Sequence, residues 1–333
     1  MHNSPAHFAN LVWRTIQDPL VATRNLVLVN RPGSQDVADF IRIRELIGER
    51  APDIETFIAR WDHPGSVTRR QAARRPSLVF SPTPLSSFMP MSGKIYCGRN
   101  ISKLEQARRL QSAGVATPET VPYDSDTESD PSKWGVLTVL KPDTGGGGKG
   151  IEVIRTKSLG EAKLLHGKEG EFGLRMIAQP YIDTGPYPAK YRLLAIFGRP
   201  LYCELQASVA KAPPVDPESS VPIEGLITSQ ASSPATAGTR RTTVSNEPDV
   251  LAFAPIAAAA FSEIPVLGLD IIREAATGKL YVLEVNPLGY TWHLSSKLGK
   301  IAQRRLQIDR YAQFDALSVA ADSLIERTRA EAQ

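Results

Sequence analysis

Cysteine is nearly absent: Cys97 and Cys203 are the two in 333 residues, far apart and outside any CxxC spacing. That excludes a disulfide framework and a structural zinc cluster, and a reducing cytoplasm is the expected setting. Long apolar runs are missing too. The longest, VLAFAPIAAAAF from Val250 to Phe261, contains Pro255 and falls short of the roughly 20 residues that span a bilayer. It reads as a buried helix from Val250 to Ser262, and no membrane association is expected. Met1 to Asn10 has no basic segment leading into an apolar stretch, so no signal peptide is expected. A long basic run with interleaved aromatics is also lacking. With a net charge of +4 and 22% charged residues, the chain suits acidic small molecules better than a nucleic-acid surface.

What is present describes a globular protein. Hydrophobic residues make up 42% of a chain long enough for two or three packed domains. Asn25–Val29 (NLVLV) reads as a strand, followed by an Arg31-Pro32-Gly33-Ser34 turn and an amphipathic helix from Asp36 to about Arg50. Ser77–Ser81 and Lys94–Gly98 read as further strands, completing a small α/β domain over residues 1–98. Ser102-Lys103-Leu104-Glu105 matches a capping box, so a helix opens at Lys103. Strands are expected over Val136–Lys141, Ile151–Arg155 and Leu174–Ile182, with a helix from Ser158 to about His166. A hairpin, YRLLAIFG with RPLYCEL, precedes a Pro/Ser/Thr-rich segment, residues 211–246, expected to be a loop or lid. Strands Val266–Arg273 and Leu280–Asn286 and a polar helix close the chain, and no internal repeat occurs.

KPDTGGGGKGIEVI, from Lys141 to Ile154, concentrates five glycines. Gly145, Gly147 and Gly150 spell GxGxxG, but that fingerprint needs a helix to begin inside it, and strand sequence follows. The Walker pattern fails because Gly150 follows Lys149 and Asp143 stands where its first glycine belongs. Neither HRD nor DFG accompanies it as in a protein kinase. What remains is a strand-loop-strand flap whose bare backbone can present N–H groups to phosphate, with Lys141 supplying charge. A flexible surface hairpin is the other reading of the same residues.

The second constellation is VLGLDIIREAATGKLYVLEVNPLG, from Val266 to Gly289. Strand alternation puts Val282, Glu284 and Asn286 on one face. If the turn sets Glu274 opposite Leu280, Asp270 faces Glu284. Two adjacent carboxylates in apolar sequence repel, and a hard divalent cation held by Asp270, Glu284 and Asn286 relieves the conflict. A solvated acidic hairpin is the alternative.

Taken in order, VLKP, the glycine hairpin, IAQPYI, YRLLAIFGRP, GLD and LEVNP resemble the ATP-grasp superfamily over roughly Ile101 to Gly289. The resemblance implies an α+β / α/β ATP-grasp fold. The α/β domain would be followed by two α+β lobes that clamp ATP: residues 99–184 with the flap, and residues 185–333 with the metal site and C-terminal helix. It implies that Lys103 and Lys141 touch nucleotide phosphates under a flap of Gly145, Gly146, Gly147, Gly148 and Gly150. Lys103 also sits at a helix N-terminus, where the dipole favours anions. Gln179, Pro180, Tyr181 and Ile182 would form the adenine hinge, with Asp183 toward the ribose. Arg192 would reach the transferred phosphate, with Lys141 as its catalytic companion, and Asp270, Glu284 and Asn286 would hold Mg²⁺, or Mn²⁺ in its stead.

The sequence departs from family patterns in two places. Gly268 stands where D-alanyl-D-alanine ligases carry an arginine, and GLD is more similar to ribosomal-protein glutamate ligases and related amino-acid ligases. A second arginine typical of those is replaced by Glu204-Leu205-Gln206. The resemblance implies an ATP-dependent carboxylate-amine ligase that forms an acyl phosphate and releases ADP and phosphate. An ATP-grasp small-molecule kinase and an inactive nucleotide-binding regulatory protein are the alternatives. ATP and small carboxylate and amine substrates are the implied partners, and a homo-oligomer is allowed. Trp292, His293 and Lys297 follow the metal strand and are candidate substrate contacts, against a packed Trp and a surface Lys. Arg240 and Arg241 read as a solvated pair, with a substrate-holding role as the alternative.

Overall fold

The structure of the protein, a computed structural model, describes residues 22–63, 67–86, 88–123, 130–159, 175–213, 240–288 and 292–333. Residues 160–166 of the expected helix after Ser158, and residues 214–239 of the Pro/Ser/Thr-rich segment, lie outside them.

The first sheet comes from β1 (Arg24–Asn30), β2 (Ile54–Arg60), β3 (Ser77–Ser81) and β4 (Lys94–Cys97), with α1 (Val37–Arg50) and α2 (Val67–Ala72) between strands. Its order is β2-β1-β3-β4 and its pairings are parallel. Parallel strands covered on both faces read as unbroken apolar runs, which is why NLVLV and SLVFS were legible. β2 is only partly buried and gave no such signal. Asp36 caps α1 by accepting from the Ala38 amide at 3.0 Å.

The second sheet follows α3 (Lys103–Ser112) and is built from β5 (Val121–Pro122), β6 (Leu137–Pro142), β7 (Glu152–Arg155) and β8 (Met176–Pro180), with α4 (Pro131–Trp134) after β5. The order is β5-β8-β6-β7 with antiparallel pairings. β6 and β7 pair up to Leu140 and Glu152, so the glycine segment is the loop of a hairpin.

The third sheet holds β9 (Ala189–Ile196), β10 (Arg199–Ser208), β11 (Arg240–Val244), β12 (Val266–Arg273) and β13 (Leu280–Asn286), ordered β11-β10-β9-β12-β13 and antiparallel. The end of the segment expected to be a loop is therefore the edge strand β11. The expected helix Val250–Ser262 is two helices, α5 (Pro248–Leu251) and α6 (Phe253–Ala260). The break places Pro255 in the first turn of α6, where its missing N–H costs no helical hydrogen bond.

After β13 come α7 (Lys297–Leu306) and α8 (Ala316–Glu331). α8 does not merely finish the third sheet's lobe. One core joins Leu26, Phe40 and Phe80 of the first sheet's layers to Leu194 and Tyr202 of the third sheet and to Ala320 and Leu324 of α8.

The β12–β13 hairpin sets Asp270 opposite Glu284, but its turn closes one residue differently from expectation, with Arg273 opposite Leu280. The register shifts between Asp270 and Ile271, leaving Leu283 as the extra residue of a bulge. The expected alternation is thereby corrected: Val282 turns to the core with Ile271 and Val285, while Glu284 keeps the opposite face.

Candidate functional site

Registers across the third sheet assemble one row of charge. Glu204 on β10 faces Arg192 on β9, Arg192 faces Asp270 on β12, and Asp270 faces Glu284 on β13. Asp270 is the hub. Its Oδ1 accepts from Arg192 Nη1 at 2.5 Å and its Oδ2 from Lys190 Nζ at 3.1 Å. Burial alone would raise the Asp270 pKa, but the Arg192 and Lys190 charges outweigh it and hold the carboxyl well below the usual range. Burial works against the Arg192 guanidinium, and the Asp270 charge overrides it to leave a net upward shift. Lys190 was not foreseen, and burial lowers its pKa against the pull of Asp270.

The flap closes over this row. Gly145, Gly147, Gly148 and Gly150 have φ of 99°, 72°, 73° and 68°, a region open to glycine and costly for residues bearing a Cβ. Lys103 Nζ donates to the Gly145 carbonyl at 3.0 Å, tying α3 to the flap. The expectation that the α3 N-terminus attracts phosphate is corrected, because the protein fills that end itself. Asp143 accepts from the Leu104 amide at 2.9 Å through Oδ1 and from the Lys103 amide at 2.9 Å through its carbonyl. Ser102 Oγ accepts from the Glu105 amide at 3.3 Å. Lys141, buried at the end of β6, has no hydrogen-bond acceptor among the described residues. Burial pushes its ammonium down to about 8, with the Glu284 charge opposing and the Lys103 charge assisting.

Two cavities share a wall at the end of β13. One of about 420 Å³ lies between Lys103, Asp143, Gly145 and Gly146 and the strand end at Glu284 and Asn286. The other, about 340 Å³, runs from Gly147 and Gly148 to Arg192, Asp270, His293 and Arg310, with Glu284 and Asn286 again in its wall. The donors in that shared wall suit a hard cation. Glu284 has no hydrogen-bond donor among the described residues. Asn286 gives its Nδ2 to the Gly268 carbonyl at 3.4 Å, which leaves its Oδ1 uncommitted. Asp270 differs, since protein cations engage both of its oxygens. No group of three His, Cys, Asp or Glu able to hold a metal occurs among the described residues.

Arg310, which sequence reasoning passed over, enters the second cavity from beyond α7. Its Nε and Nη2 donate to the Glu204 carboxylate, the latter at 3.0 Å, and its Nη1 donates to the His293 carbonyl at 3.0 Å. The residue that replaces an expected arginine on β10 thus carries a guanidinium from another element. His293 lines the same cavity, and burial, aided by the Arg192 and Arg310 charges, lowers its imidazole to about 3. It is neutral at ordinary pH.

The remaining predicted residues divide. Trp292 is fully buried, donates from Nε1 to Asp39 at 2.8 Å and packs edge-on against Phe40. Its expected substrate contact is corrected to a core role. Lys297 opens α7 on the exposed surface and lines neither cavity. Arg240 is half-buried near Lys190 and Asp270, while Arg241 is exposed. In the hinge, Gln179 Nε2 donates to Thr120 Oγ1 at 2.6 Å and the Tyr181 amide to the Leu137 carbonyl at 3.0 Å. Pro180 ends β8, Ile182 is buried, and Asp183 Oδ1 accepts from the Gly185 amide at 2.8 Å. Tyr181 and Ile151 pack on Leu137, Val139 and Val153 to form an apolar wall.

No protein-family model matches the sequence, and no curated protein does. Solved structures match over most of the chain. The ATP-grasp ligase PsnB complexed with minimal precursor, Mg and ADP superposes with a TM-score of 0.51 at 16% identity, covering 97% of this chain and 100% of that one. A Chryseobacterium gregarium RiPP-associated ATP-grasp ligase, in complex with ADP and a leader and core peptide, gives 0.51 at 12% identity over 91% and 97%. The D-cycloserine synthetase DcsG gives 0.50 at 15% identity over 91% and 99%. At such identities the likeness establishes architecture: a mixed α/β chain with the ATP-grasp fold.

Proposed function

We propose that this ATP-grasp chain is an ATP-dependent ligase that joins a carboxylate to an amine through an acyl phosphate, releasing ADP and phosphate. The observation that carries the reading is the convergence of Arg192, Glu284 and Asn286 beneath a glycine flap, with the buried Lys141 ammonium near Glu284 and without a hydrogen-bond acceptor among the described residues. Adenine would lie on the apolar wall at Tyr181 and Ile151, along the hinge from Gln179 to Ile182, with Asp183 toward the ribose. The phosphates would run under Gly145–Gly148 between Lys103 and Lys141.

Glu284 and Asn286 would hold Mg²⁺, with Mn²⁺ as a substitute; the bound ion supplies charge and orientation to phosphate oxygens. The remaining N–H groups of Arg192, held by Asp270, aim at the transferred phosphate. A substrate carboxylate in the 340 Å³ cavity would attack the γ-phosphorus, ADP would leave, and an amine would then displace phosphate from the acyl carbon. The protein contributes position and charge more than covalent chemistry. Closure of the flap keeps water from the acyl phosphate. That cavity admits an amino-acid-sized carboxylate. The two free cysteines suit a cytoplasmic enzyme, and among the described residues no helix is long and apolar enough to cross a membrane.

The test is a screen of amino acids in pairs with ATP and Mg²⁺, measuring ADP and free phosphate together. The expected result is equimolar ADP and phosphate that require both partners, with Glu284→Gln lowering the rate by about tenfold to a hundredfold. ADP formed without free phosphate would instead indicate transfer to a hydroxyl.

A further inference from the structure

Asp270 is the acid that the hairpin pattern offers most plainly as a metal ligand, yet the protein's own cations engage both of its oxygens. Arg192 Nη1 donates to Oδ1 at 2.5 Å and Lys190 Nζ to Oδ2 at 3.1 Å. The two donors stand two residues apart on β9, so strand alternation sets them on one face. The register of Arg192 with Asp270 brings that face to the carboxylate.

Lys190 is no swinging surface lysine. Its side chain is 2% exposed, so it is held in place against Asp270, and removing that charge takes a carboxylate away from a buried ammonium. Glu284 and Asn286 differ: the Lys141 and Arg192 charges act on Glu284 only through space, no cation is hydrogen-bonded to either side chain among the described residues, and both line the two cavities. A divalent ion on Asp270 would have to approach an oxygen to about 2.0–2.1 Å. Three cations would then crowd one carboxylate in a poorly screened interior, where like charges repel strongly.

We infer that the site takes a single divalent cation, on Glu284 and Asn286, and that the Lys190 ammonium is the fixed positive charge at Asp270. Asp270 is then a positioning residue for Arg192 and Lys190 rather than a metal ligand. This rests on the ATP reading above and narrows it: one cation per nucleotide, with a protein ammonium permanently beside it.

Equilibrium dialysis of the full chain against Mn²⁺ and a saturating non-hydrolysable ATP analogue, adenylyl imidodiphosphate, counts ions and nucleotides bound per chain. The expected count is one Mn²⁺ per nucleotide in the wild type. Asp270→Asn should keep that ion, and Lys190→Met, which frees Oδ2, should raise the count to two. Two ions per nucleotide in the wild type, a loss of affinity in Asp270→Asn beyond the roughly hundredfold that a non-ligating partner costs, or a count still at one in a folded Lys190→Met would overturn the inference. The wild-type and Asp270→Asn counts decide the matter even if the lysine variant is unstable. Failure of the analogue to bind at all would overturn the nucleotide reading itself, and the inference with it.

Discussion

Burial fixes the protonation of His293, and that gives a residue-scale prediction. Its folded pKa of about 3 lies below the ordinary 6.5, so between those values the unfolded chain binds the proton more readily than the native one. The stabilisation is complete above pH 6.5 and is lost as pH falls toward 3. His293→Gln cannot ionise and should flatten the decline of Tm over that window relative to wild type; parallel declines would show that the imidazole is not held neutral. Trp292 yields the opposite kind of test. Trp292→Phe removes the hydrogen bond to Asp39 and should cost about 1–3 kcal/mol in urea unfolding, with the substrate KM unchanged. Residue type and strand spacing single out Lys141, Glu284 and Asn286 as candidates in the sequence. They pass over Lys190 and Arg310, since a lone Lys or Arg reads as surface until its carboxylate is known, and Arg310 lies 106 positions from Glu204.

At the scale of elements, the flap and the acidic hairpin were legible because both depend on local pattern. The bulge at Leu283 was not, for nothing in YVLEV announces an extra residue. It nevertheless decides that Val282 packs inward while Glu284 faces the cleft. Two flap glycines separate backbone need from simple exposure. Gly150 has φ of 68° and an added Cβ would stand 3.0 Å from Pro142 Cγ, whereas Gly146 has no positive φ and nothing within 4 Å. Gly150→Ala should therefore strain the flap by about 1–3 kcal/mol and raise KM for ATP, while Gly146→Ala stays near wild type. Equal effects in steady-state kinetics would contradict the flap geometry.

Over the whole molecule, the succession of α/β and antiparallel segments could be anticipated, but the return of α8 to the first sheet could not, because its apolar face names no partner. That face joins the first and third sheets in one core. Leu324→Ala should cost about 2–5 kcal/mol, with hydrogen exchange accelerating in β1 and β3 as well as in β10; loosening confined to α8 would contradict the shared core. The central claim concerns chemistry, and isotope transfer tests it most directly. With ¹⁸O in both carboxylate oxygens of whichever substrate supports ADP release, an acyl phosphate requires one labelled oxygen to depart in the phosphate and one to remain in the amide. Phosphate free of ¹⁸O would contradict the account.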